Sequence, residues 1–464
     1  MVAPSFYGSA FQRTAPPSTL VMVSDAAQQP NAVTPVVARP SQLSLFAGSW
    51  TAEQLREWVV AELELAGFRH EDGQIHLHED LSKEAIRRLH WRQRQAVLAA
   101  HRPFVLEWEE KLIGFFANGE EVDPRRVRPR VVPVATDEQA ALFRYASLFW
   151  SVPVSGGYGR RSRFLVIDDS NDYLIGIFAL GDPVYNLTAR DAYIGWNVTQ
   201  RSKRLYNVLD AFVVGAVPPY RELLGGKMVA MAAASDEARE FIAAKYDGTT
   251  THISGATKDS RPVLVTTTSS LGRSSIYNRL RFNDRLLFEP VGFSVGYGHF
   301  QFSDDLFRAL VDYLPDNERP GNEYGKGPNW KIRALRKALN RVGLDEELLR
   351  HGVRRQVFIA PLATNWKEYL RGETDRPRWR HHRVEDLGRF WVRRWCAPRA
   401  RRDESYSFIT RDSMRLSRSL DVDFNAIQYR LSSPTSKGDN SQTSDGMTTE
   451  RVIAAAVSAI TASS

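Results

Sequence analysis

Ala211-Phe-Val-Val-Gly-Ala-Val217-Pro218-Pro-Tyr-Arg-Glu-Leu-Leu-Gly225-Gly226-Lys227 is the stretch from which the fold is read. The apolar run Ala211–Val217 predicts a strand. Pro218–Pro219 ends it, and Gly225–Gly226 open a helix expected to run to Lys245. Moving outward, Phe164–Ile167 and Tyr173–Leu180 are short apolar runs separated by the turn Asp169–Asp172, the pattern of a hairpin. Downstream, Val263–Thr268 reads as a strand and Ser274–Leu280 as a short helix. Leu286–Val295 and the following Gly296-Tyr-Gly-His-Phe300 read as a last pair of strands. Strands alternating with helices predict an α+β protein whose central mixed sheet, at about 155–305, carries flanking helices.

Further out, residues 43–154 read as a helical N-terminal region. Thr51 and Gln54 form a capping box, Leu55, Trp58, Val59 and Leu63 share one face, and Gly67 stops the helix. A second helix is expected over Lys83–Ala100, a basic proline-broken linker over Asp123–Pro133, and a third helix opened by Thr136 and Gln139. Residues 1–42 read as a flexible leader. Residues 306–416 read as a basic, Arg- and Trp-rich helical extension. Residues 417–464 are expected to be mostly disordered, with a short Ala-rich helix near the end.

The 464 residues are 43% hydrophobic and carry a net charge of +8. Glu318–Arg415 holds 24 Lys and Arg against 13 Asp and Glu, so this segment is at +11 and the remainder at −3. The positive field therefore belongs to one region and points to a polyanion such as DNA or RNA. A single cysteine, Cys396, excludes an internal disulfide and fits a reducing, cytoplasmic setting. No apolar run approaches the ~20 residues of a membrane helix.

Four features carry candidate chemistry. The Gly225–Gly226–Lys227 turn could present backbone N–H groups and a cation to a pyrophosphate, or simply be a tight strand-to-helix turn. Tyr277, after the hydroxyl-rich Thr266–Ser270, could serve as a general acid or pack in the core with its hydroxyl satisfied. Arg190–Asp191, leading into an aromatic-rich strand with Trp196, could form a binding wall or a salt-bridged strand start. The carboxylates Asp168, Asp169, Asp182 and Asp191 would suffice for a metal nuclease, although their spacing demands no metal. In residues 371–402, eleven Arg are interleaved with His381, His382, Trp379, Trp391 and Trp395. The reading is a mixture: some Trp turned into the core, and Arg378, Arg380, Arg393, Arg394, Arg401 and Arg402 open to phosphate.

Several of these segments together resemble the Druantia anti-phage system protein A (DruA) family, a domain family of unknown function. They are Arg190–Asp191 with Ile194-Gly-Trp196, Phe212–Pro219, Leu223–Lys227, Thr266–Arg279, Val291–His299, Gly325-Lys-Gly-Pro-Asn-Trp330, His351–Phe358 and Pro361–Asn365, spanning roughly residues 50–410. The resemblance implies antiviral defence beside a helicase-like partner and other defence proteins. Related domains occur fused to transposase segments of mobile elements, so a transposition-linked factor is a further reading. The order of elements is also similar to GNAT-type acyltransferases. That similarity implies an acyl-CoA or related acyl donor on Leu224, Gly225, Gly226 and Lys227, and a tyrosine acid, Tyr277, beside Ser275. Arg190, Asp191, Trp196 and His299 would then line a substrate pocket. The turn departs from the usual spacing, since Arg221 stands four residues before Gly225. The alternative from another class is a non-enzymatic DNA-binding adaptor for a helicase.

Overall fold

Tyr173–Gly181 is buried along its whole length, and the main sheet is built around it. The computed structural model describes residues 50–71, 74–77, 82–154, 159–250, 255, 257–319 and 330–420. The expected leader, most of the tail with its Ala-rich stretch, and the Gly325–Asn329 part of one family segment lie outside the described residues. In chain order the strands are β1 (Phe68–Glu71), β2 (Gln74–Leu77), β3 (Pro129–Pro133), β4 (Arg161–Asp168), β5 (Tyr173–Gly181) and β6 (Val208–Ala216). They continue with β7 (Leu264–Thr268), β8 (Arg281–Phe282), β9 (Arg285–Leu286), β10 (Glu289–Phe293) and β11 (Gln356–Pro361).

Seven strands form one mixed sheet in the order β10-β11-β7-β6-β5-β4-β3. All neighbours are antiparallel except β6 and β7, which run parallel over three residue pairs only, Val208↔Leu264 to Asp210↔Thr266. Beyond them, the Thr267 hydroxyl donates to the Ala211 carbonyl. A parallel pair needs a crossover, here made by the helices Gly225–Ala233 and Asp236–Lys245. The first is apolar all round and buried from Met228 to Ala233, as expected for a helix pressed between a sheet and a further helical layer. Val384–Trp391 belongs to the same core cluster and forms part of that layer. The helices Arg102–Leu112 and Asp137–Ser147 pack on the opposite face.

The capping box of Thr51 and Gln54 opens the helix Ala52–Leu65, and that of Thr136 and Gln139 opens Asp137–Ser147. Leu55, Val59 and Leu63 are fully buried against Asp304–Asp312 and Trp330–Arg341.

Several expectations are corrected. The end of the supposed linker is β3, whose prolines suit an edge strand that leaves one side unpaired. Lys83–Ala100 is two helices, broken at His90. The N-terminal region also contains the β1–β2 hairpin. Arg190–Trp196 is the end of a helix, Thr188–Ile194, closed by Gly195 in the left-handed region, and not a strand. Ser274–Leu280 is a series of turns, and Gly296–Phe300 is not a strand. The last strand of the sheet is instead β11, supplied by the segment read as a helical extension and seated between β7 and β10. No helix among the described residues is long and apolar enough to cross a membrane.

Candidate nucleic-acid interface

The helix Val384–Trp391 passes through a π-helical turn, Val392–Cys396, into Ala397–Ala400. The wider turn changes which residues face solvent, and such turns recur at functional sites. Trp391 and Cys396 are buried, Trp395 is half-buried, and Arg393, Arg394, Arg401 and Arg402 are exposed. These four arginines, with Trp395 and Pro398, line an open groove of about 370 Å³. None of the four has an acidic partner among the described residues. Their neighbours do: Arg399 pairs with Asp403, Arg389 with Asp386, and Arg383 with Glu237. Four unneutralised guanidinium groups around an indole suit phosphate contact and base stacking.

The groove adjoins the glycine turn. Lys227 Nζ lies 5.5 Å from the centre of the Trp395 ring, and Trp391 Nε1 donates to the Leu224 carbonyl at 3.1 Å. Lys227 also donates to the carbonyls of Ser275 and Ile276, and burial lowers its pKa. The turn itself is closed. The amides of Arg221, Leu223, Leu224, Gly225 and Lys227 all donate to carbonyls between Val217 and Leu224. A Cβ on Gly225 would stand 2.6 Å from the Tyr220 carbonyl oxygen, so the glycine serves the turn's own packing. One on Gly226 would reach Ile276 at 3.3 Å. Most of the turn's backbone amides are thus already engaged within the turn. Tyr277 is buried between Phe288 and Phe358, at ring distances of 5.0 and 5.2 Å. Burial pushes its phenol up to about 12, opposed by the neighbouring Thr267 hydroxyl. Ser275 is exposed, with Lys83 Nζ at 3.5 Å from its hydroxyl.

Arg190, Asp191 and Trp196 do come together, as a saturated internal network. Arg190 is wholly buried and donates to Asp191, to the Val184 carbonyl at 2.9 Å and to the Tyr185 carbonyl at 3.0 Å. Asp191 also accepts from Trp196 Nε1, Leu187 N and Arg201. His299 sits apart, with Lys331 and Asp304 as its charged neighbours, and burial lowers its pKa. The other carboxylates are engaged separately: Asp168 by Ser170 and Tyr220, Asp169 by Arg130, and Asp182 by Arg160. Among the described residues no three metal-ligating side chains converge.

Arg378 is exposed, on a loop docked through its backbone to Asn365. Arg380 lines a second groove, about 440 Å³, with Tyr193, Arg281, Arg285, Leu286, Glu289 and Pro290. Sequence reasoning missed Tyr193, Arg281 and Arg285 because they lie far from the basic block. It also missed Asp210, a carboxylate inside the apolar run of β6. Burial pushes Asp210 up to about 6, opposed by the Thr266 hydroxyl and by Arg190 and Arg161.

A family model described as Druantia protein DruA matches residues 80–372. The Druantia protein DruA of Escherichia coli (strain UMEA 4076-1) is 40% identical over 378 residues, covering 78% of this chain and 93% of that protein. No solved structure matches. With more than half of its length matched by the family model and such a relative aligned over most of both chains, this chain belongs to the Druantia protein DruA family.

Proposed function

We propose that this chain is the nucleic-acid-binding component of a Druantia-type anti-phage defence system, acting as an adaptor that holds a strand for a helicase-like partner. The observation that carries this reading is the cluster of Arg393, Arg394, Arg401 and Arg402 around the half-buried Trp395, with no carboxylate paired to any of them among the described residues. On the same segment Arg371, Arg383, Arg389 and Arg399 each pair with a carboxylate. Leaving four unpaired on one groove concentrates positive potential where a phosphate backbone would lie. The span matched by the family model ends before this groove, so the reading rests on the groove itself. Binding should weaken steeply with salt. Replacing all four arginines by Ala should lower the log–log salt slope by up to ~2.8, about 0.7 for each phosphate no longer neutralised on a single strand. The variant should also lose protection in a plaque assay. Unchanged affinity, slope and protection would overturn the reading.

A second reading, acyl transfer by the central sheet, is favoured by the strand order and the single parallel pair β6–β7 with its helical crossover. It requires the Leu224–Lys227 turn to open, and Asp210 and Tyr277 to become accessible. Calorimetry with acetyl-CoA tests it. Heat of binding that Gly226→Asp abolishes supports acyl transfer, whereas no heat leaves the sheet as a scaffold for the groove.

A further inference from the structure

We infer that the groove of Arg281, Arg285, Arg380 and Tyr193 continues the Arg393–Arg402 groove, so that a single strand of nucleic acid crosses the β8–β9 hairpin from one to the other. This rests on the reading of the first groove given above and names the form of the ligand.

The second groove carries three arginines against one carboxylate, Glu289, whose side chain already accepts the Tyr193 hydroxyl at 3.1 Å. Arg281 uses one guanidinium nitrogen on the Asp284 carbonyl at 2.8 Å. Arg380 holds its Nε buried with no hydrogen-bond partner. The Arg380 side chain is partly exposed and lines the groove, where a guanidinium suits a phosphate oxygen. Tyr193 is 39% exposed at the rim, with Lys367 Nζ 4.0 Å from its ring centre.

Three rings join the grooves. Trp395, which lines the first, stands 5.4 Å from Phe390, and Phe390 stands 5.3 Å from Phe282. Phe282 is flanked in β8 by Arg281 and paired across the hairpin with Arg285, both of which line the second groove. The hairpin is short and well defined, because Asn283 and Asp284 both take positive φ, at 49° and 59°, as a tight two-residue turn requires. Phe282 is buried in the core and Phe390 is partly buried, so these rings tie the two grooves together from beneath. The half-buried Trp395 at one end and the 39%-exposed Tyr193 at the other, each beside arginines, suit a single strand, whose bases are open to stacking. A duplex hides its base faces and offers only its backbone and groove edges. Spanning both grooves takes more than the ~4 nucleotides at the lower end of single-strand site sizes.

The test uses the full chain and fluorescein-labelled oligothymidylates of about 4 and about 20 nucleotides at low salt. The double variant Arg281→Ala/Arg285→Ala, on an exposed hairpin, should bind the short probe within about 2-fold of the wild type. It should lose most of the affinity gained with length, and its salt slope should drop by about 1.4, that is ~0.7 for each of two phosphates. If the double variant melts early, Arg285→Glu alone gives the same readout. A length gain and slope equal to the wild type overturn the continuous path. So does a duplex of the same length bound as tightly as the single strand. If the wild type binds neither probe, the reading of the first groove fails as well. If the wild type binds and the hairpin variant matches it in length gain and slope, that reading stands and this one falls.

Discussion

Lys227 Nζ stands 5.5 Å from the centre of the Trp395 ring while it donates to the carbonyls of Ser275 and Ile276 at 2.8 and 3.1 Å. One ammonium thus ties together the start of the crossover helix, the turns after β7 and the floor of the arginine groove. Its charge is satisfied by backbone oxygens and an indole face, with no carboxylate partner among the described residues.

Lys227→Met keeps the length of the side chain and removes the charge. It should lower stability by about 1–3 kcal/mol, the usual contribution of charged hydrogen bonds together with a cation–π contact. Chemical denaturation measures this, and a change in native tryptophan fluorescence should accompany it.

Two tryptophans four residues apart should behave oppositely. Trp391 is fully buried, and its indole N–H holds the Leu224 carbonyl. Trp391→Ala should cost about 3–5 kcal/mol of stability. Trp395 is only half-buried, so Trp395→Ala should leave the melting temperature nearly unchanged. It should weaken oligonucleotide binding by about 1–3 kcal/mol, the contribution of one stacked base. Melting curves and fluorescence anisotropy on both variants separate the two roles.

Asp210 gives a pH signature. Its folded pKa is raised, by burial, from an ordinary carboxylate value to about 6. The folded state therefore binds the proton more tightly than the unfolded state. Stability from this group is highest below about pH 4 and falls as pH rises to about 6. Above that the cost of the buried charge is constant. Asp210→Asn should stabilise the protein at pH 7–8, by on the order of 1–2 kcal/mol once partial exposure is allowed for, and by much less at pH 4. Denaturation midpoints at the two pH values check the sign.

Arg190 is structural as folded. Removing it takes one of two arginines from Asp191, leaves the Val184 and Tyr185 carbonyls without their donor, and empties a fully buried side-chain site. Arg190→Ala should cost about 3–5 kcal/mol. Arg190→Lys should recover only part of this, because an ammonium cannot reproduce the planar fork. If either variant keeps the wild-type melting temperature yet loses oligonucleotide binding, the residue faces ligand after all.

The local features were legible. Thr51 with Gln54, and Thr136 with Gln139, fix helix starts through contacts three residues apart, and the Phe164–Leu180 hairpin follows from two apolar runs and a turn. The basic block was visible from charge counting alone. Local pattern failed at Arg190–Trp196, where aromatic residues suggested a strand. The network around Asp191 instead closes a helix there.

What the amino-acid sequence determined by itself was the crossover unit around Ala211–Lys227, the helix caps, and a positive segment suited to a polyanion. The tertiary structure decided the rest. It seated β11 between β7 and β10, from a segment whose Arg and Trp content hides a six-residue strand. It closed the glycine turn with its own carbonyls, and it brought Arg281 and Arg285 to Arg380. It also sorted eleven arginines into those with carboxylates and those without. Helix caps and hairpins are set by interactions within a few residues. Which strand fills a sheet, and which guanidinium is left unneutralised, depend on partners up to about a hundred or more positions away, which chain order alone does not bring together.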